Sequence, residues 1–141
     1  MKKLAILALV SVTLASCEEE TTMAVDEVPT EITTYTSTHF PENAIVKAVK
    51  DKEKGTHSYE ISLEGGYYLE FNSQKEVTDI EGVSKLPDSS IPTGLLEYVQ
   101  QNYPDFHIVG WETDGTGQEL ELNSGLELKF NAQGEFLRID N

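Results

Sequence analysis

The chain writes one phrase twice. EFNSQKEV occupies residues 70–77 and KFNAQGEF occupies residues 129–136, an offset of 59, with Phe, Asn, Gln and Glu kept in the same order. A repeat restricts a fold more tightly than any local propensity, because each copy must adopt a conformation that its twin also tolerates. The correspondence extends beyond the phrase. At the same offset Glu60 pairs with Glu119, Ile61 with Leu120, Leu63 with Leu122, Leu69 with Leu128 and Ile80 with Ile139. Upstream the offset becomes 63, pairing Pro29 with Pro92, Tyr35 with Tyr98, Phe40 with Tyr103, Pro41 with Pro104 and Ile45 with Ile108. The difference of four is read as an insertion in one turn, DKEKGTH against TDGTG, since loops absorb length changes at little cost.

Each copy opens on a helical pattern. IPTGLLEYVQQNYP sets Ile91, Leu95, Tyr98, Val99 and Tyr103 on one stripe, with Ser89 or Ser90 as the cap and Pro104 as the stop. The first copy keeps the stripe through Val28, Ile32, Tyr35 and Phe40, although Thr33, Thr34, Thr36 and Thr38 are poor helix formers. The remainder alternates with period two. HSYEISLE puts Tyr59, Ile61 and Leu63 on one side, and GLELKFN does the same with Leu126, Leu128 and Phe130. The closing strand is read with Leu137 and Ile139 inward. Alternation of this kind describes antiparallel strands with one face covered and the other wet.

The expected fold is therefore α+β: two tandem units of a helix and a four-stranded antiparallel meander, with the helices covering one sheet face. One unit alone is too small to bury an adequate core, so the copies are expected to share one. The expected boundaries are 28–82 for the first unit, 83–90 for a linker and 91–141 for the second.

Residues 1–16 are read as a leader. MKK is followed by an apolar run of 11 residues, too short to span a bilayer, and then by LASC, which resembles a bacterial lipobox cut before Cys17. Cys17 is the only cysteine, so no internal disulfide is available to it, and lipidation would consume its thiol. A diacylglycerol with an amide-linked chain would anchor the protein, since each buried CH₂ contributes roughly 0.8 kcal/mol. Glu18, Glu19 and Glu20 resemble a surface-export signal, or simply a solvated linker. Residues 17–27 are expected to form a flexible acidic tether, reaching at most ~35 Å over ten residues. These features imply an exported lipoprotein of the outer membrane, facing the periplasm or the cell surface.

The order helix, strand meander and -LELKFNAQGEFLRID- resembles the PepSY-like family of bacterial exported proteins over residues 28–141. LEFNSQKEVTDI departs from it by carrying Lys75 where the turn glycine would stand. The arrangement is also similar to the β-lactamase inhibitor protein fold, in which tandem helix-plus-sheet units present a concave sheet to a protein. The resemblance implies protein binding, with inhibition as one form of it, and transfers no catalytic residue.

Composition and motifs agree with a non-enzymatic reading. The net charge is −15, and loss of Lys2 and Lys3 with the leader leaves 8 basic against 25 acidic residues. That balance disfavours nucleic acid, favours solubility and permits cationic partners or divalent ions. His39, His57 and His107 show no ligand spacing, and no nucleophile elbow, P-loop or zinc motif occurs. TDGTGQ reads as a hairpin turn rather than a calcium loop. No cofactor is expected. Two surfaces are singled out on the wet face. Tyr68, Phe136 and, with its register open, Trp111 form a candidate partner surface, because aromatics anchor interfaces. Glu119, Glu121 and Glu127 form a candidate acidic face, the alternative being a small-ligand or divalent-ion module.

Overall fold

The computed structural model describes residues 19–53 and 55–140. Cys17 and the leader lie outside the described residues. The order of elements is β1 (Glu19–Met23), a 3-10 turn (Val25–Glu27), α1 (Thr30–His39), β2 (Ile45–Glu53), β3 (Thr56–Leu63), β4 (Tyr67–Phe71) and β5 (Val77–Gly82). A second 3-10 turn (Asp88–Ser90) leads to α2 (Thr93–Asn102), β6 (Ile108–Thr113), β7 (Gly117–Leu122), β8 (Glu127–Asn131) and β9 (Phe136–Asp140). The strands join in chain order into one nine-stranded sheet, antiparallel at every pairing. No described helix is long and apolar enough to cross a membrane.

One face of the sheet carries the core. Tyr59, Ile61, Leu63, Leu69, Phe71 and Ile80 from the first half meet Leu120, Leu122, Leu128 and Phe130 from the second, and Ile32, Leu95 and Val99 cover them from the helices. The threonine-rich α1 forms because its hydroxyls turn back on its own carbonyls. Thr33 donates to Thr30 O, Thr36 to Thr33 O and Thr38 to Thr34 O, at 2.7–3.1 Å. With those groups satisfied, Tyr35 packs edge-on against Phe71. α2 starts differently from the reading of its sequence. Its N-cap is Pro92 without a side-chain cap, while Ser90 donates to Pro87 O in the preceding turn and Ser89 meets His39.

The repeated phrase is explained atom by atom. In each half the Phe is fully buried and the Asn and Glu close the hairpin. Asn72 Oδ1 accepts from the backbone N–H groups of Gln74 and Glu76, both at 3.0 Å, and Asn72 Nδ2 donates to Glu76. Asn131 repeats all three bonds with Gln133 and Glu135. Lys75 takes the left-handed conformation of its counterpart Gly134, with φ of 63° against 83°.

Three expectations are corrected. Residues 19–23, read as part of a flexible tether, pair with β2 as a ninth strand. The four-residue insertion is strand rather than loop, because β2 and β3 stay paired out to Glu53↔Thr56. The phase of β9 is also shifted. Phe130 faces Phe136 but Lys129 faces Arg138, so Leu137 is the extra residue of a β-bulge. It lies 56% exposed, and Ile139 at the sheet edge is 44% exposed. The same bulge sits at Thr78 in the first half, between Phe71↔Val77 and Glu70↔Asp79.

A non-glycine residue in the left-handed region costs roughly 1–2 kcal/mol. Lys75→Gly is therefore expected to raise stability by up to about 1 kcal/mol after the entropic cost of glycine, read as a higher urea midpoint. Gly134→Ala is expected to lower it, since the added Cβ would stand 3.1 Å from Leu95 Cδ1.

Candidate functional site

Antiparallel pairing brings residues far apart in sequence into one line across the open face. Starting at β3, the register runs Glu60↔Glu70, Glu70↔Asp79, Asp79↔Glu112 and Glu112↔Glu119, a carboxylate on each of five consecutive strands. It continues as Glu119↔Lys129 and Lys129↔Arg138. At ~4.8 Å between strands the five acids span roughly 19 Å. The row is dipolar: acidic through β7 and basic on β8 and β9. The corresponding positions of the two halves carry opposite charge, with Glu70 and Asp79 in the first and Lys129 and Arg138 in the second. A groove of about 510 Å³ lies over the middle and basic end, with Glu70, Asp79, Glu112, Glu119, Lys129 and Arg138 among its walls.

The acids differ in surroundings. Lys129 is ion-paired with Glu119, and Arg138 with Asp140 at 2.9 Å. Asp79 has neighbours of its own sign. Burial, then the charges of Glu81, Glu70 and Glu112, push its carboxyl up to about 7. Tyr68 donates to Glu70 Oε1 at 2.8 Å. Burial first, and then Glu70 and Glu60, hold its phenol well above the usual range. Among the described residues no three His, Cys, Asp or Glu side chains are grouped so as to hold a metal ion; the carboxylates form a line.

Of the residues expected at the site, the open face holds Tyr68, Glu119, Glu121 and Glu127. Glu121 and Glu127 face each other across β7 and β8, one step from the main row. Trp111 and Phe136 belong elsewhere. Trp111 lies between Ile80 and Leu120 on the covered face, 8% exposed, with Nε1 donating to Gln118 Oε1 at 3.1 Å. Phe136 stacks on Tyr98 of α2 at 4.7 Å and meets Phe130, because the bulge at Leu137 reverses its side. The aromatic surface thus reduces to Tyr68. Glu60, Glu70, Asp79 and Glu112 are site residues that the sequence reading missed, because their adjacency depends on the register of β3 through β6, which no single strand reveals.

The raised carboxyl sets a pH dependence. Asp79 binds its proton more tightly folded than unfolded, so its contribution is fully present below the ordinary value of 3.8 and is lost as pH rises through about 7. Asp79→Asn is expected to be more stable than the parent at pH 8, with the gap closing at pH 4, in urea melts at the two values.

With this geometry in hand, comparison with known proteins is specific. A search of curated proteins returns no match. Three solved structures share the fold over nearly their full length. One, described as a "putative periplasmic protein" of the DUF2874 family from Bacteroides vulgatus, has a TM-score of 0.82 at 30% identity, covering 87% of this chain and 98% of that one. A second from Bacteroides vulgatus, described as a "putative periplasmic protein of unknown function", has a TM-score of 0.81 at 28% identity, covering 87% and 100%. A third, from Bacteroides thetaiotaomicron and described as a "putative calcium-regulated periplasmic protein", has a TM-score of 0.81 at 25% identity, covering 86% and 97%. The family model described as "Putative beta-lactamase-inhibitor-like, PepSY-like" matches twice, at residues 16–79 and 57–138. The chain belongs to this PepSY-like family.

Proposed function

We propose that this protein is a non-enzymatic lipoprotein of the bacterial envelope, built from two tandem helix-plus-four-strand units and anchored through Cys17 in the outer membrane. Its open sheet face binds a basic segment of a protein or peptide partner, with inhibition as one outcome. The observation that carries this reading is the unbroken row from Glu60 to Glu119 on the face that neither helix covers. A line of like charges on a preformed sheet is costly when empty and is relieved by a cationic segment lying along it. Lys129 and Arg138 at one end would fix its direction. Tyr68, beside the row, offers an aromatic anchor.

Crosslinking in the native envelope, followed by mass spectrometry, tests the proposal. A partner captured through a lysine- or arginine-rich segment is expected. Combining Glu70→Gln, Asp79→Asn and Glu112→Gln should cut its recovery more than about tenfold, in line with the loss of several charge contacts. Equal recovery by the folded triple variant would refute the sheet face as the site.

The second reading is divalent-ion binding on the same face, favoured by the mutual repulsion around Asp79 and by the calcium-regulated description given to one relative. Calorimetric titration with calcium separates the two. Heat that disappears in Asp79→Asn and Glu112→Gln supports a site, whereas heat unchanged in both variants excludes one at these acids.

A further inference from the structure

The tether expected before the fold is a strand, and this changes where the membrane must lie. β1 begins at Glu19, two residues after Cys17. Its register sets Glu19 beside Lys52 and Thr22 beside Val49, so β1 starts at the β2–β3 hairpin end and runs back along β2. That hairpin is the one lengthened by four residues. β4 pairs with β3 only as far as Tyr59↔Phe71, whereas β2 and β3 continue through Asp51↔Ser58, Lys52↔His57 and Glu53↔Thr56. The extension projects about 10 Å beyond its neighbour at 3.3 Å per residue. β1 is zipped onto it, so the insertion and the ninth strand form one arm.

Two peptide units reach at most about 7.6 Å. A lipid on Cys17, the anchor proposed above, therefore holds this arm within roughly that distance of the bilayer interface, with too little chain between them for a leash. We infer that the arm of β1, β2 and β3 is seated on the lipid headgroups. Along this part of the sequence Glu18, Glu19, Glu20, Asp51 and Glu53 stand against Lys50, Lys52 and Lys54. That excess of acid suits a zwitterionic phosphatidylethanolamine surface and disfavours an anionic one. Neighbouring strands twist by roughly 20° each, so the seat fixes the first half of the sheet most closely. There the β4–β5 turn at Gln74 lies at the membrane end and the α1–β2 loop at Glu42 lies at the far end. Glu60 is only three residues from His57 along β3, about 10 Å. The acidic row therefore begins close to the membrane, and its partner must reach the bilayer surface.

The test uses the mature lipidated protein in phosphatidylethanolamine–phosphatidylcholine vesicles carrying a headgroup-attached quencher. A fluorophore is placed on Gln74→Cys or on Glu42→Cys, both at exposed positions. With a strand length of roughly 20–30 Å between them, quenching at Gln74 is expected to exceed that at Glu42 by about twofold or more. A ten-residue Gly-Ser insertion between Glu18 and Glu19 should abolish the difference. Equal quenching at the two positions of a protein whose intact mass includes the diacylglycerol would overturn the seat alone. An intact mass without lipid on Cys17 would overturn the anchor and the seat together.

Discussion

The contact on which the rest depends is the pairing of β5 with β6. It comprises Asp79↔Glu112, Ile80↔Trp111 and Glu81↔Gly110, and it fuses the two halves into one sheet. The same backbone pairs act on both sides. Below, Ile80 and Trp111 are pressed into the shared core. Above, two carboxylates are brought side by side and the acidic row becomes continuous. Full burial of one large apolar side chain is worth roughly 1.5–3 kcal/mol, and the core holds many. That is enough to hold together a surface that electrostatics alone would push apart. Gly110 marks how closely the open face is packed here, since a Cβ on it would stand 3.2 Å from Glu121 Cβ.

Much of this was legible in the sequence because period-two alternation is a direct imprint of burial. Ile61, Leu69, Leu120 and Leu128 are each fully buried, and each lies in phase with the pattern. The Phe-Asn-x-Gln-x-Glu phrase signalled a hairpin that both halves build with the same bonds. Alternation stops being reliable where the pleat is interrupted. The bulge at Leu137 places Phe136 in the core and Leu137 outside, a reversal that an unbroken strand cannot express. Trp111 was ambiguous for a related reason: β6 carries an irregularity between Ile108 and Gly110. β1 left no hydrophobic trace, since EETTM has little to bury and is held by backbone pairing to β2. The acidic row was hidden most deeply, because it is a property of register across five strands.

Repetition has been used asymmetrically. Both halves keep the apolar positions, the turn asparagine and the bulge, all of which serve the covered face. Two open-face positions of the row have reversed in charge, Glu70 on β4 against Lys129 on β8 and Asp79 on β5 against Arg138 on β9. Shared constraints thus lie where packing demands them, and differences lie where solvent or a partner is met. The first half also carries the longer hairpin and its added strand. In the reading proposed for this PepSY-like protein, one half meets the membrane and both together present a graded, dipolar face to a cationic partner.

The central claim is that the seam places Asp79 beside Glu112 and within a line of like charge. Titration of the Asp79 side-chain carboxyl by ¹³C NMR tests it directly. A midpoint near about 7 is expected in the parent protein, moving downward in Glu112→Gln as one repelling neighbour is removed. A midpoint close to the ordinary 3.8, or one that Glu112→Gln leaves in place, would contradict the register and the row built on it.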